Sequence, residues 1–325
     1  MTTSALAING GSKALTNDPG DIFTWPIVTE EDESAVLEVL RRGGMSGTDV
    51  TKLFEEDFSA WMGTEFALGY PNGTESLRAA MWACGVGAGD EIICPSLTYW
   101  ASATPALSLG AAVHFADAHP DSLCIDPADI EHRIGPRTKA IVVVHYAGHP
   151  GDMDAIMPIA KRHGVKVIED VSHAQGSLYK GRMCGTIGDV GAMSLMAGKS
   201  LAIGEAGILV TDNREIYERC VAYGHYERTG ARSQYNPPDQ QVTDTSLQQF
   251  SGMPMGGYKH RMHQLSSAMG RVQLRHYPER IVEIQKAMNR FWDLLEDVPG
   301  ITAHRPAAGS GSTMGGWYFA RGLYR

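Results

Sequence analysis

Apolar residues along this chain change their period once the first sixty positions are passed. From residue 29 to 42, and again from about 50 to 62, they recur at helical spacing, with Val50, Leu53, Phe54, Phe58 and Trp61 on one face of the second segment. The first segment, TEEDESAVLEVLRR, has an acidic first turn and a basic last turn, which suits the helix macrodipole, and Gly43 and Gly44 stop it. Short apolar runs follow: FALGY (66–70), EIICP (91–95), AVHFA (112–116), AIVVVH (140–145), VKVIE (165–169), VGAMS (190–194) and GILVT (207–211). Helix-like segments such as 74–85 and 152–163 lie between several of them. This alternation predicts an α/β protein of three αβα layers around a mainly parallel, seven-stranded sheet. In open sheets of that kind, ligands bind beyond the carboxyl ends of the strands, so chemistry is to be sought there.

Two later segments complete the expected organisation. Residues 229–257 are polar, rich in Gly and Pro, and too long for a passive connection, which predicts an active-site loop or a dimer-crossing segment. An amphipathic helix is predicted at about 278–297, with Ile281, Ile284, Met288, Phe291 and Leu295 on one stripe. The expected division is a large domain over 1–275, then a linker helix and the start of a small C-terminal domain over 276–325. Because the chain stops at WYFARGLYR, which reads as the interior of a strand, a truncated small domain is expected.

Composition narrows the function classes. Hydrophobic residues make up 43% of the 325 positions and charged residues 20%, ordinary values for a globular chain with a sizeable core. The net charge of −9 argues against nucleic acid or an anionic membrane as the main partner. Five scattered cysteines (Cys84, Cys94, Cys124, Cys184, Cys220), none in a C-x-x-C pair, argue against zinc and a disulfide framework and for a reducing compartment. The first twenty residues lack a basic stretch followed by an apolar run, and no apolar run approaches membrane-spanning length. A cytoplasmic location is expected.

Four segments carry candidate chemistry. In VIEDVSHAQG (167–176) the strand pattern puts Asp170 at a carboxyl end, where it could serve a metal, a ribose hydroxyl or a cationic ring nitrogen, or simply cap the next helix. SLMAGKSLAIGEAG (194–207) places Lys199 in a glycine-rich loop between two strands, flanked by apolar residues. An isolated lysine in such a loop is more often a surface group, but desolvation would lower its pKa and free the amine for Schiff-base chemistry. Ser194, five residues earlier, could hold a phosphate. In NGTESLRAAMWACG (72–85), Gly73 and Thr74 open an Ala-rich helix whose N-terminal amides suit a phosphate, although Asn72 or Thr74 as a plain cap is an equal reading. PSLTYWASA (95–103) follows a strand and offers an aromatic that could stack on a planar cofactor or pack as core. Two histidine-bearing clusters, His145 with Tyr146 and His149, and His225 with Tyr226 and Arg228, are candidates for binding sugar hydroxyls or a donor carboxylate, with packing roles at least as common for each residue.

Taken in order, these segments resemble the DegT/DnrJ/EryC1/StrS family of pyridoxal phosphate (PLP)-dependent sugar aminotransferases, of aspartate aminotransferase-like fold type I, from about Gly10 to Leu274. The resemblance implies PLP held as a Schiff base on Lys199, with Asp170 on its pyridinium nitrogen and Tyr99, or alternatively Trp100, stacked on its ring. It implies Gly73, Thr74 and Ser194 at its phosphate. GGYKHRM (256–262) matches the element that reaches a neighbouring subunit's phosphate, so a homodimer with shared sites is implied. Three departures stand out: His173 replaces the family's Gln, Lys259 replaces its Asn, and G-E-G-G reads Gly204-Glu205-Ala206-Gly207. Lys199 itself separates the chain from dehydratase relatives, which show histidine at that place. The expected reaction is amino transfer from glutamate or glutamine to a keto-sugar nucleotide or keto-cyclitol. The alternatives are a non-catalytic PLP- or sugar-binding regulatory protein and a PLP-dependent sugar dehydratase or lyase.

Overall fold

A computed structural model describes residues 5–18, 20, 24–230 and 239–324. Two helices come first, α1 (Glu30–Arg41) and α2 (Asp49–Met62). At the start of α1 the Thr29 hydroxyl accepts from the Asp32 N–H while the Asp32 carboxylate accepts from the Thr29 N–H, so two otherwise unpaired amides are satisfied reciprocally. The seven apolar runs of the sequence become seven strands: β1 (Phe66–Tyr70), β2 (Glu91–Pro95), β3 (Ala112–Ala116), β4 (Thr138–Val144), β5 (Lys166–Asp170), β6 (Val190–Ser194) and β7 (Gly207–Thr211). They form one sheet in the order β1-β7-β6-β5-β4-β2-β3.

Strands β2 to β6 pair in parallel, whereas β7 runs antiparallel to both β6 and β1. Parallel neighbours need a crossover, usually a helix, but antiparallel neighbours can be joined directly. The β6–β7 connection is such a direct return, and it therefore stays at the carboxyl edge of the sheet. That loop carries Lys199.

Side-chain alternation divides the core into two layers. Ile141, Val143 and Val167 face one side, with α2 (Phe54, Phe58) and the helix α4 (Met153–His163) over them. Ala140, Val142, Val144 and Ile168 face the other, under α3 (Gly73–Ala83) and α5 (Arg214–Gly224). The same alternation sends the adjacent carboxylates Glu169 and Asp170 to opposite faces. Both flanking strands are hydrophobic here, so slipping β5 by one residue would exchange the two carboxylates.

The predicted helix at 278–297 is the second half of a longer one, α6 (Gln264–Asp293), and the expected boundary at 275/276 falls inside it. Its first half hides its amphipathic stripe in the core, where Val272, Leu274 and Tyr277 are buried. Pro278, which suits a helix start, sits instead in mid-helix. Beyond α6, β8 (Ile301–Ala303) and β9 (Gly322–Tyr324) form a two-stranded antiparallel pair. The chain between them returns to the segment that follows β5, where the Thr313 N–H donates to Leu178 O (2.8 Å) and the Gly316 N–H to Gln175 O (3.2 Å). Of the polar segment 229–257, residues 231–238 lie outside the described residues; Thr245–Gln248 form a short helix. Among the described residues no helix is long and apolar enough to cross a membrane.

Candidate active site

Three strand ends converge at the carboxyl edge of the sheet. β4 ends at Val144, β5 at Asp170 and β6 at Ser194, and α3 begins beside them at Gly73. Between them lies a cavity of about 360 Å³. Gly73, Thr74 and Ser194 line one part of it; Tyr99, Asp170, His173 and Lys199 line the rest. Seven residues picked out from four separate sequence segments thus share one space. Lys259 does not: it is exposed and absent from that lining. Trp100 is also outside the lining, and half of its surface is exposed.

Two close backbone approaches build the phosphate end. A Cβ on Gly73 would lie 2.6 Å from the Ser194 Cβ, and one on Gly207 would lie 2.3 Å from the Asn72 carbonyl oxygen. Glycine at both places lets the amino end of α3 press against β6 and β7. Asn72 caps α3 through Glu75 N–H (2.9 Å), so the amides of Gly73 and Thr74 stay open toward the cavity side of the helix end.

The lysine loop is locked from three directions. Trp25 Nε1 donates to the Lys199 carbonyl (2.8 Å). Ser200 Oγ donates to Gln175 Oε1 (2.9 Å) and lies 2.8 Å from the Tyr277 hydroxyl of α6. Gln175 Nε2 in turn donates to the Ser194 carbonyl (2.7 Å), tying the loop to the end of β6. Lys199 itself is buried, with its Nζ 4.3 Å from the centroid of the Tyr318 ring. Burial lowers its pKa from the ordinary lysine value, and the nearby Asp170 charge offsets only part of that.

Asp170 is held by two donors. Ser102 Oγ donates to Oδ2 (2.6 Å) and the Ser172 N–H to Oδ1 (3.0 Å). His173 stacks on Tyr318 with ring centroids 4.3 Å apart and planes 16° from parallel. Burial, followed by the Lys199 charge, pulls its pKa down to about 4, so the imidazole is neutral at physiological pH. Its Nδ1 is buried without a hydrogen-bond partner among the described residues.

Sequence reasoning missed three contributors. Ser102 and Thr98 were within reach, because they lie in the segment that supplies Tyr99 and bear hydroxyls within three residues of it. Tyr318 left no signal: its contact depends on a return of the chain over a separation that no local pattern encodes. At both histidine clusters the packing alternative holds, although Arg228 is a buried arginine rather than a surface one. His145 is fully buried and bonded to Glu169 (Nε2 to Oε2, 2.8 Å) on the opposite face of the sheet. His149 stacks on His304 at 5.0 Å, and burial pushes its pKa down to about 4. Arg228 is buried too and donates two bonds to Glu55 (2.6 and 3.0 Å), with His225 buried beside it. These residues do not line the cavity.

The donor set fits PLP. A desolvated amine and a carboxylate occupy one cavity with a helix amino terminus, a flat aromatic and an orphaned imidazole nitrogen, which matches an aldehyde, a ring nitrogen, a phosphate, a planar face and a ring hydroxyl. The volume is within the usual range of small-molecule sites, roughly 300–1,000 Å³.

Comparison with known proteins agrees. Residues 26–320 match the model of the DegT/DnrJ/EryC1/StrS aminotransferase family. The chain is 34% identical over 280 residues to the spore coat polysaccharide biosynthesis protein SpsC of Bacillus subtilis, covering 86% of this chain and 70% of that one. It is 38% identical over 221 residues to an L-glutamine:2-deoxy-scyllo-inosose aminotransferase of Streptoalloteichus tenebrarius, covering 66% of this chain and 51% of that protein. The chain spans about half the length of several such curated relatives. Among solved structures, the aminotransferase TlmJ from Streptoalloteichus hindustanus superposes with a TM-score of 0.80 at 32% identity, over 93% of this chain and 78% of that one. The chain belongs to the DegT/DnrJ/EryC1/StrS aminotransferase family, whose cofactor is PLP.

Proposed function

We propose that this protein transfers an amino group from glutamine or glutamate to a keto-cyclitol or a keto-sugar nucleotide. The observation that carries the reading is the meeting of a buried amine, Lys199, and a held carboxylate, Asp170, on one cavity. The names of relatives that act on inososes support the keto-cyclitol class.

The roles follow from position. The amides at the start of α3, with Thr74 and Ser194, would hold the phosphate of PLP, and Tyr99 would cover one face of the ring. When bound, PLP supplies an electron sink for the charge left as a Cα proton departs. Asp170 would hold a proton at the ring nitrogen, which would keep that sink strong. Lys199 would anchor the cofactor through Nζ and, as a free base, would move the proton at Cα. Its lowered pKa suits that second role, since a base works best with a pKa near the operating pH. Neutral His173 offers a ring nitrogen without adding charge.

The same proposal includes a division into a cofactor-binding unit through about residue 275, with a linker helix and small C-terminal unit after it. It includes a cytoplasmic homodimer in which Lys259 of one copy reaches the phosphate of the other. Free cysteines support a reducing compartment. The test is to incubate the full-length protein with PLP, glutamine or glutamate, and a panel of keto-cyclitols and keto-sugars, and to read products by mass. Replacement of a carbonyl by an amine is expected. A dehydrated product, or no product with any pair, would overturn the assignment.

A further inference from the structure

We propose that Ser102, backed by Thr98, is the positioning residue that fixes the Asp170 carboxylate; this rests on the reading of Asp170 as the partner of the cofactor's ring nitrogen. Ser102 is buried, and its Oγ lies 2.6 Å from Asp170 Oδ2 and 2.7 Å from Thr98 Oγ1. An ionised carboxylate has only acceptors, so the Ser102 proton points at Asp170. The Thr98 hydroxyl must then donate to Ser102, and the direction of the whole relay is set: Thr98 to Ser102 to Asp170. Chains of hydroxyls aligned this way polarise one another in a low-dielectric surrounding.

The second donor, the Ser172 N–H, holds the other oxygen. A carboxylate with one oxygen bonded from each side cannot rotate about its terminal bond without losing a bond. The geometry also couples two functions. Tyr99 caps the single turn Trp100–Ser102, and the Ser102 N–H donates to the Tyr99 carbonyl (3.1 Å). One turn therefore places both the aromatic face and the hydroxyl that aims the carboxylate. Placing them on a single rigid turn keeps the spacing between ring face and carboxylate constant.

The experiment measures PLP affinity by titration, together with the pH midpoint of the visible band of the bound cofactor. The variants are Ser102→Ala, Thr98→Val, Ser102→Thr and Asp170→Asn, each checked by circular dichroism. Ser102→Ala is expected to weaken PLP binding about tenfold, the usual weight of one hydrogen bond to a charged group, and to move the pH midpoint. Thr98→Val should shift both readouts the same way by a smaller factor, and it decides the matter should Ser102→Ala fail to fold. Ser102→Thr keeps the hydroxyl and should restore both. If Asp170→Asn changes affinity and band while Ser102→Ala and Thr98→Val change neither, the positioning role is wrong and the reading of Asp170 stands. If Asp170→Asn changes nothing, the reading of Asp170 itself fails.

Discussion

Glu169 and Asp170 are neighbours on β5 that face opposite sides of the sheet, so their substitution should separate stability from function. Glu169 is fully buried and accepts four hydrogen bonds: Oε1 from the N–H groups of Ile187 (2.7 Å) and Gly188 (2.6 Å), and Oε2 from Gly185 N–H (2.8 Å) and His145 Nε2 (2.8 Å). In Glu169→Gln either orientation of the amide turns its NH₂ toward two donors. His145 has no easy escape, because its Nδ1 already accepts from Gly151 N–H (3.0 Å) and so its proton is pinned on Nε2. Each stranded buried donor costs about 1–3 kcal/mol, which puts the substitution at roughly 2–6 kcal/mol. Denaturant unfolding of the wild-type and variant proteins measures this directly, and a loss below about 0.5 kcal/mol would refute the reasoning, since that is the scatter of a surface change. The pH dependence has a definite sign. Burial pushes the Glu169 carboxyl up, but the bonds from His145, Gly188 and Gly185 outweigh it and hold the pKa below its usual range. A depressed carboxyl contributes stability that is present above its unfolded pKa, near 4.3, and is lost as pH falls through the folded value. The acid limb of the wild-type stability curve should therefore flatten in Glu169→Gln, while neutral pH shows the full deficit. Asp170→Asn, by contrast, should cost less stability, because only two donors face it and the Ser102 hydroxyl can turn to accept from the new amide, and it should abolish turnover.

Other consequences are equally concrete. Lys199→Ala should lower turnover by about 10³-fold or more, because it removes both the anchor and the base; residual activity near wild type in a steady-state assay would contradict that. Gly73→Ala should cost about 1–3 kcal/mol and weaken PLP binding, since its Cβ would collide with Ser194, and unchanged denaturation and affinity would show the cradle to be looser than described. Tyr318→Ala should raise the His173 pKa from about 4 toward the ordinary histidine range by admitting water, which proton NMR titration of the ring reads; an unmoved titration would place the burial elsewhere. Over roughly pH 6–8 PLP affinity should show no step that His173→Gln removes, because the wild-type imidazole is already neutral there.

The sheet was largely readable in advance because each strand is a short apolar run set off by polar or helical sequence. All seven runs pair; five keep the ends read from the sequence, and β4 and β5 differ by one or two residues. The four cavity segments were readable for a related reason: strand ends place Asp170 and Ser194 directly, and the direct β6–β7 return places Lys199. What could not be read was set by contacts distant in sequence. The start of α6 was hidden because its first half is packed by α1, α2 and the sheet. Tyr318 reaches the cavity only because the C-terminal segment hydrogen-bonds back to residues 175–181. His145 and Arg228 look like binding residues as letters, yet each sits in a buried ion or hydrogen-bond pair whose partner, Glu169 or Glu55, is chosen by the fold.

The central claim is that Lys199 is the one amine that takes the cofactor. Incubating the protein with PLP, reducing with borohydride and mapping the labelled peptide by mass tests it most directly. A pyridoxyl group on Lys199, absent after Lys199→Ala, is the expected result. A label on another lysine, or a wild-type protein that takes none, would contradict the account.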